Sequence, residues 1–98
     1  MPRVEEIISD RARTHGDWPT QAQLLADLIG LVARSGAGER MSATQVVAMN
    51  MAMLKVARIC CGDPNHADHW RDIAGYATLV ADELDAQQQG RNNPPVRD

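Results

Sequence analysis

The segment Val46-Val-Ala-Met-Asn-Met-Ala-Met-Leu-Lys-Val-Ala-Arg-Ile-Cys-Cys61 constrains this chain most. It is apolar on almost every side of a helix, so it must lie at the centre of whatever forms around it. It nevertheless carries Lys55 and Arg58, three positions apart and on one helical face. Burying unpaired charge is costly, so both cations require negative partners or a path to water. Three solutions are open from the residues alone. One is an ion-pair network with protein carboxylates, for which Asp72 and Asp17 are the natural candidates. A second is an anionic ligand, and a third is snorkelling to the surface.

The rest of the chain reads as helical around this segment. Ser42-Ala-Thr-Gln45 matches a capping box, which starts the central helix at Ser42, and Gly62 ends it. An earlier amphipathic helix is predicted over about Arg3–Arg13, with Val4, Ile7, Ile8 and Arg11 on one side. It stops in Thr14-His15-Gly16-Asp17-Trp18-Pro19, where Gly16 suits a left-handed terminus and Pro19 suits the first turn of the next helix. That next helix is predicted over about Thr20–Arg34. Its apolar face is broad enough to need cover from two directions, and Ser35-Gly-Ala-Gly38 breaks it. The final helix is predicted over about His66–Gln88, with Trp70, Ile73, Ala77, Val80 and Leu84 as its buried stripe.

No alternating strand pattern appears. The expected fold class is therefore all-α, a compact bundle of about four helices completed by homo-oligomerisation. Residues 1–88 are expected to form one domain, because 98 residues leave no room for two cores. Residues 89–98, polar with a Pro94-Pro95 pair, are expected to be a disordered tail.

Charge narrows the partner classes. A formal net charge of −3 gives no bulk footprint for nucleic acid or an anionic membrane. Nine of the ten basic residues are Arg, which makes the single Lys55 conspicuous. Cys60 and Cys61 are adjacent, about 100° apart on a helix, and are poorly placed to bridge each other. They read as reduced packing residues. No secretory signal opens the chain and the longest apolar run is too short and charged to span a bilayer, so the expected location is cytoplasmic.

Two further clusters stand out from ordinary packing. The loop Thr14-His15-Gly16-Asp17 reads either as a helix-terminating turn, with Asp17 as a cap, or as a loop facing Lys55 and Arg58. Trp18 beside it reads as a hydrophobic plug or a base-stacking ring. The second cluster is His66, Asp68, His69, Asp72 and Tyr76. His66, Asp68 and Asp72 are of metal-ligating type, but their spacing fits no strong metal motif, and helix-start and hydrogen-bonding roles account for them better.

With these residues named, a resemblance emerges. Arg11-Ala-Arg-Thr-His-Gly-Asp17, Met51-Ala-Met-Leu-Lys-Val-Ala-Arg58 and Asp68-His-Trp-Arg-Asp-Ile-Ala-Gly-Tyr-Ala77 resemble, in order, the R-x-x-THGD, M-x-x-LK-x-AR and D-x-x-x-D-x-x-GYA motifs of small phage and prophage proteins of unknown function. The match runs from about Val4 to Leu84. The family in turn looks distantly like phage nucleotide-metabolism domains, which implies a nucleotide or other phosphate-bearing ligand. The residues carried over are His15, Asp17, Lys55, Arg58, Asp72 and Tyr76. His69 and Trp18 complete the candidate ligand set. The family often places an aromatic near the start of the second helix, where this chain has Gln21-Ala-Gln23, so Trp18 is the residue left to stack on a base.

Three functions from different classes follow as expectations. The first is nucleotide binding without chemistry, for example sequestering a signal of host defence. The second is a pyrophosphohydrolase or phosphotransferase using Mg2+, although the E-x-x-E carboxylate set of helical pyrophosphohydrolases is absent. The third is a protein-interaction module or inhibitor of a host enzyme, with the Met-rich central helix as its adhesive face.

Overall fold

A computed structural model describes residues 3, 4 and 13–92. Three α-helices and one 3-10 turn account for nearly all of them, and no strand occurs among them. Helix α1 spans Trp18–Arg34, the 3-10 turn spans Ala37–Arg40, α2 spans Ala43–Cys61 and α3 spans Ala67–Asn92. Most of the first helix expected from sequence lies outside the described residues. Its last turn is visible as helical residues Arg13–His15.

The helix boundaries follow local chemistry. Asp17 caps α1, its carboxylate accepting from the Thr20 backbone N–H at 3.1 Å and the Thr20 hydroxyl at 2.8 Å. Pro19, whose missing N–H costs nothing in a first turn, follows directly. Gly36 takes a left-handed φ of 74° and turns the chain into the 3-10 segment. The expected capping box at α2 is formed: Gln45 N–H donates to Ser42 Oγ at 3.2 Å, and Ser42 N–H donates to Gln45 Oε1 at 2.9 Å. Helix α2 ends where Gly62 N–H donates to the Arg58 carbonyl at 2.9 Å.

Helix α2 is central, packing against both α1 and α3. It is not enclosed. Met53, Lys55 and Ala57 are its buried residues, while Val47, Met49 and Val56 remain exposed. Among the described residues helix α1 packs against α2 and the 3-10 turn, with Ile29 and Leu31 exposed.

Helix α3 departs from expectation in two respects. Trp70 does not join a buried stripe: it is 55% exposed, because its indole N–H donates to the Pro64 carbonyl at 2.8 Å and holds the ring against the loop. Ala77 and Leu84, from the same expected stripe, are also exposed. The buried residue of this helix is His69, at 2% exposure. The helix also continues through Asn92, so residues 89–92 are helical and not part of a disordered tail. A run of three Gln residues with good helix propensity carries it past Gly90. The remaining expected tail, 93–98, lies outside the described residues. No helix among the described residues is long and apolar enough to cross a membrane.

Candidate functional site

Five of the sequence-predicted residues, His15, Lys55, His66, His69 and Asp72, lie where the end of α2, the start of α3 and the Thr14–Asp17 loop meet. This meeting is made by backbone contact. Gly16 has a φ of 82°, and a Cβ placed there would stand 2.6 Å from the Cys61 carbonyl oxygen. A Cβ on Gly62 would stand 2.6 Å from the Gly16 nitrogen and equally close to the Thr14 carbonyl carbon. Two glycines thus let the loop lie directly on the end of α2.

The Thr14 carbonyl is the hub. It accepts from the Asp63 backbone N–H at 3.1 Å and from His69 Nε2 at 2.7 Å. A carbonyl only accepts, so His69 carries a proton on Nε2. Thr14 Oγ1 lies 2.6 Å from His15 Nδ1. Three imidazoles consequently cluster. The His15 and His69 rings meet edge to face at 4.8 Å between centroids, His66 and His69 lie 4.6 Å apart, and His15 and His66 lie 6.2 Å apart.

Lys55 joins this group from α2. Its side chain is buried and Nζ meets Asp72 Oδ2 at 2.7 Å, clamping α2 to α3. The hydrogen bond from Lys55 holds the Asp72 carboxyl below its ordinary value of 3.8, against a smaller upward push from burial. The charges of Lys55, His69 and Arg58 add to the lowering, which places all four residues in one electrostatic neighbourhood. A depressed carboxyl stabilises the fold at every pH above its unfolded value and loses that contribution as pH falls through the folded one. The melting temperatures of the wild type and Asp72→Asn are therefore expected to differ at neutral pH and to converge below about pH 3.8. A gap that persists unchanged into strong acid would show that Asp72 acts by packing and not by charge.

The other candidates take distinct places. Arg58 is half-buried in the last turn of α2. Tyr76 is half-buried one turn beyond Asp72. Asp17 is exposed, and the Thr20 hydroxyl and backbone N–H lower its carboxyl, so its visible work is capping α1. Trp18 begins α1 and is 66% exposed. Asp68 is paired with Arg71 at 2.9 Å, away from Lys55. With Asp68 and Asp72 so engaged, no group of three His, Cys, Asp or Glu among the described residues is arranged to hold a metal ion. Cys60 and Cys61 are free thiols.

Two contributors escaped the sequence reading as site residues. Thr14 supplies the shared carbonyl. Gln21, in the first turn of α1, is 3% exposed, and its Nε2 has no hydrogen-bond partner among the described residues. Its signal was present: Gln21 continues the Leu24, Leu25 and Leu28 stripe at helical spacing, and a polar side chain there needs a reason. The Gly16–Cys61 contact sets the start of α1 beside the end of α2, so Gln21 belongs to the same end of the helix pair as Arg58.

Away from this junction, a cavity of about 600 Å3 opens between α2 and α3. It is apolar, with Met41, Met49, Ala52, Ala77, Val80 and Leu84 among its lining. A smaller one of about 200 Å3 lies between α1 and α2. The polar junction and the apolar groove are separate features of the molecule.

No curated protein and no solved structure matches the chain significantly. A family described as a domain of unknown function (DUF6378) matches residues 1–84, and the chain belongs to that family.

Proposed function

We propose that the junction binds the phosphate of a nucleotide or another phosphate-bearing small molecule. One observation carries the reading: Lys55, Arg58 and His69 act together on the Asp72 carboxylate, and His15 and His66 pack against His69. The C-terminus of α2 and the N-terminus of α3 meet here with opposed dipoles, so side-chain charge sets the sign of the site. Among the described residues these side chains give the junction a cationic and hydrogen-bond-donating lining, which suits an anion. The buried Gln21 amide at the same end of α1 offers a further donor.

In this reading Lys55 and Arg58 attract phosphate, His15 and His66 donate to its oxygens, and His69 positions the cluster through Thr14. Tyr76, and Trp18 at the rim, meet the base or ribose. Asp72 holds Lys55 in place and keeps affinity moderate and reversible. The reading is binding without bond breaking: among the described residues Asp68 and Asp72 are tied to Arg71 and Lys55 and do not converge as a magnesium site. The likeness of the three motifs to those of phage and prophage proteins supports a role in sequestering a nucleotide signal.

Isothermal titration of the full chain with inorganic phosphate, mononucleotides and cyclic dinucleotides tests this. At least one is expected to bind with a Kd below about 1 mM, weakening as salt rises. Absence of binding by all of them at low ionic strength would overturn the reading.

A further inference from the structure

We propose that the apolar groove between α2 and α3 is a homodimer interface, in which a second copy completes a four-helix bundle. The inference is independent of the anion site, which lies at the other end of the helix pair. Helix α3 presents Ala77, Val80, Ala81 and Leu84 at spacings of three, one and three, a single stripe. Helix α2 presents Met41, Gln45, Ala48, Met49 and Ala52 alongside it. Two adjacent helices with one shared open apolar face are half of a bundle. Small residues on the floor and Met, Val and Leu on the walls admit a facing helix at close range.

A stable interface takes about 800 Å2 from each partner, so more than the groove itself must be covered. This groove shares Met41 and Met49 with the second cavity, so apolar surface continues to Ile29 and Val32 of α1. Met49 and Leu84 remain exposed at 43% and 45% in the single chain. A contiguous apolar surface of this kind marks an interaction site.

Charge selects a second copy as the occupant. Arg40 lies at one rim and makes no ion pair among the described residues. Asp85 borders Leu84 on α3 and likewise makes none among the described residues. A two-fold axis near Leu84 sets α3 antiparallel to its counterpart and turns the Arg40 of each copy toward Asp85 of the other. Such a contact is isologous and closes at two subunits.

Analytical ultracentrifugation of the full chain tests the proposal. Wild type is expected to sediment at twice the 10.7 kDa chain mass at about 50 µM. Met49→Asp and Val80→Asp are expected to sediment as monomers with unchanged helical circular dichroism. Leu31→Asp, at an exposed apolar residue outside the groove, is expected to remain dimeric. Arg40→Asp should raise the dimer Kd at least about tenfold, and adding Asp85→Arg to it should recover most of the loss. A monomeric wild type, or a dimer indifferent to Met49→Asp and Val80→Asp in folded protein, would overturn the proposal. A monomer that binds a foreign helical partner through this face would do the same.

Discussion

Replacing Gly62 with alanine is expected to destabilise the chain by about 3 kcal/mol or more, lowering Tm on the order of 15 °C. The new Cβ would collide with the backbone of Thr14 and Gly16. Backbone cannot yield as a flexible side-chain tip can, so the loop must lift from the end of α2. Lifting it breaks the Asp63 and His69 hydrogen bonds to Thr14 and scatters the imidazole cluster. Gly16→Ala is expected to behave similarly, since it adds a left-handed φ to a collision with Cys61. Gly75→Ala is the contrasting control. Nothing lies within 4 Å of its added Cβ, and it sits within α3, so alanine there should raise stability by about 0.5–1 kcal/mol. Thermal unfolding by circular dichroism distinguishes these outcomes. Equal, small effects at all three positions would mean the loop does not rest on α2 as described.

The second large effect separates the fold from the site. Lys55→Met keeps the length and apolar stem of the side chain while removing a buried charge. Replacing a buried ion-pair member by a packed apolar group is often tolerated when the remaining charge reaches water, and Asp72 is 47% exposed. Lys55→Met is therefore expected to retain a folded, cooperative protein and to weaken phosphate binding at least about tenfold, the usual worth of a charge-assisted hydrogen bond. Asp72→Asn should do the opposite. It leaves Lys55 buried with no carboxylate, lowering stability, yet it frees the ammonium for ligand and should tighten phosphate binding. Titration calorimetry and thermal melts on the two variants read both quantities. If Lys55→Met unfolds the protein and Asp72→Asn weakens binding, the pair is a structural clamp and nothing more.

Legibility in the sequence followed locality. The capping box at Ser42 and the stop at Gly62 were readable because both are set within four residues. The Lys55–Asp72 pair was readable because charge on an apolar helix demands a partner and Asp72 stood on the next helix. The His15–His66–His69 cluster was not. His66 and His69 share a helix start, but His15 arrives through the Thr14 carbonyl and two backbone-to-backbone glycine contacts, and no periodicity encodes those. Trp70 misled because its size suggested burial, whereas its N–H requires an acceptor and found one on the loop. Asp17 was legible as a cap because its partner Thr20 is three residues away, and Asp68 pairs just as locally with Arg71.

The most direct test follows the imidazole rings themselves. Long-range proton–nitrogen correlation spectra of the full chain would be recorded during titration with inorganic phosphate and with the tightest-binding nucleotide. Ring signals of His15, His66 and His69 are expected to shift together and saturably in wild type, and to stay fixed in Lys55→Met. Saturable shifts confined to residues of the apolar groove, with the three rings unmoved, would contradict the account.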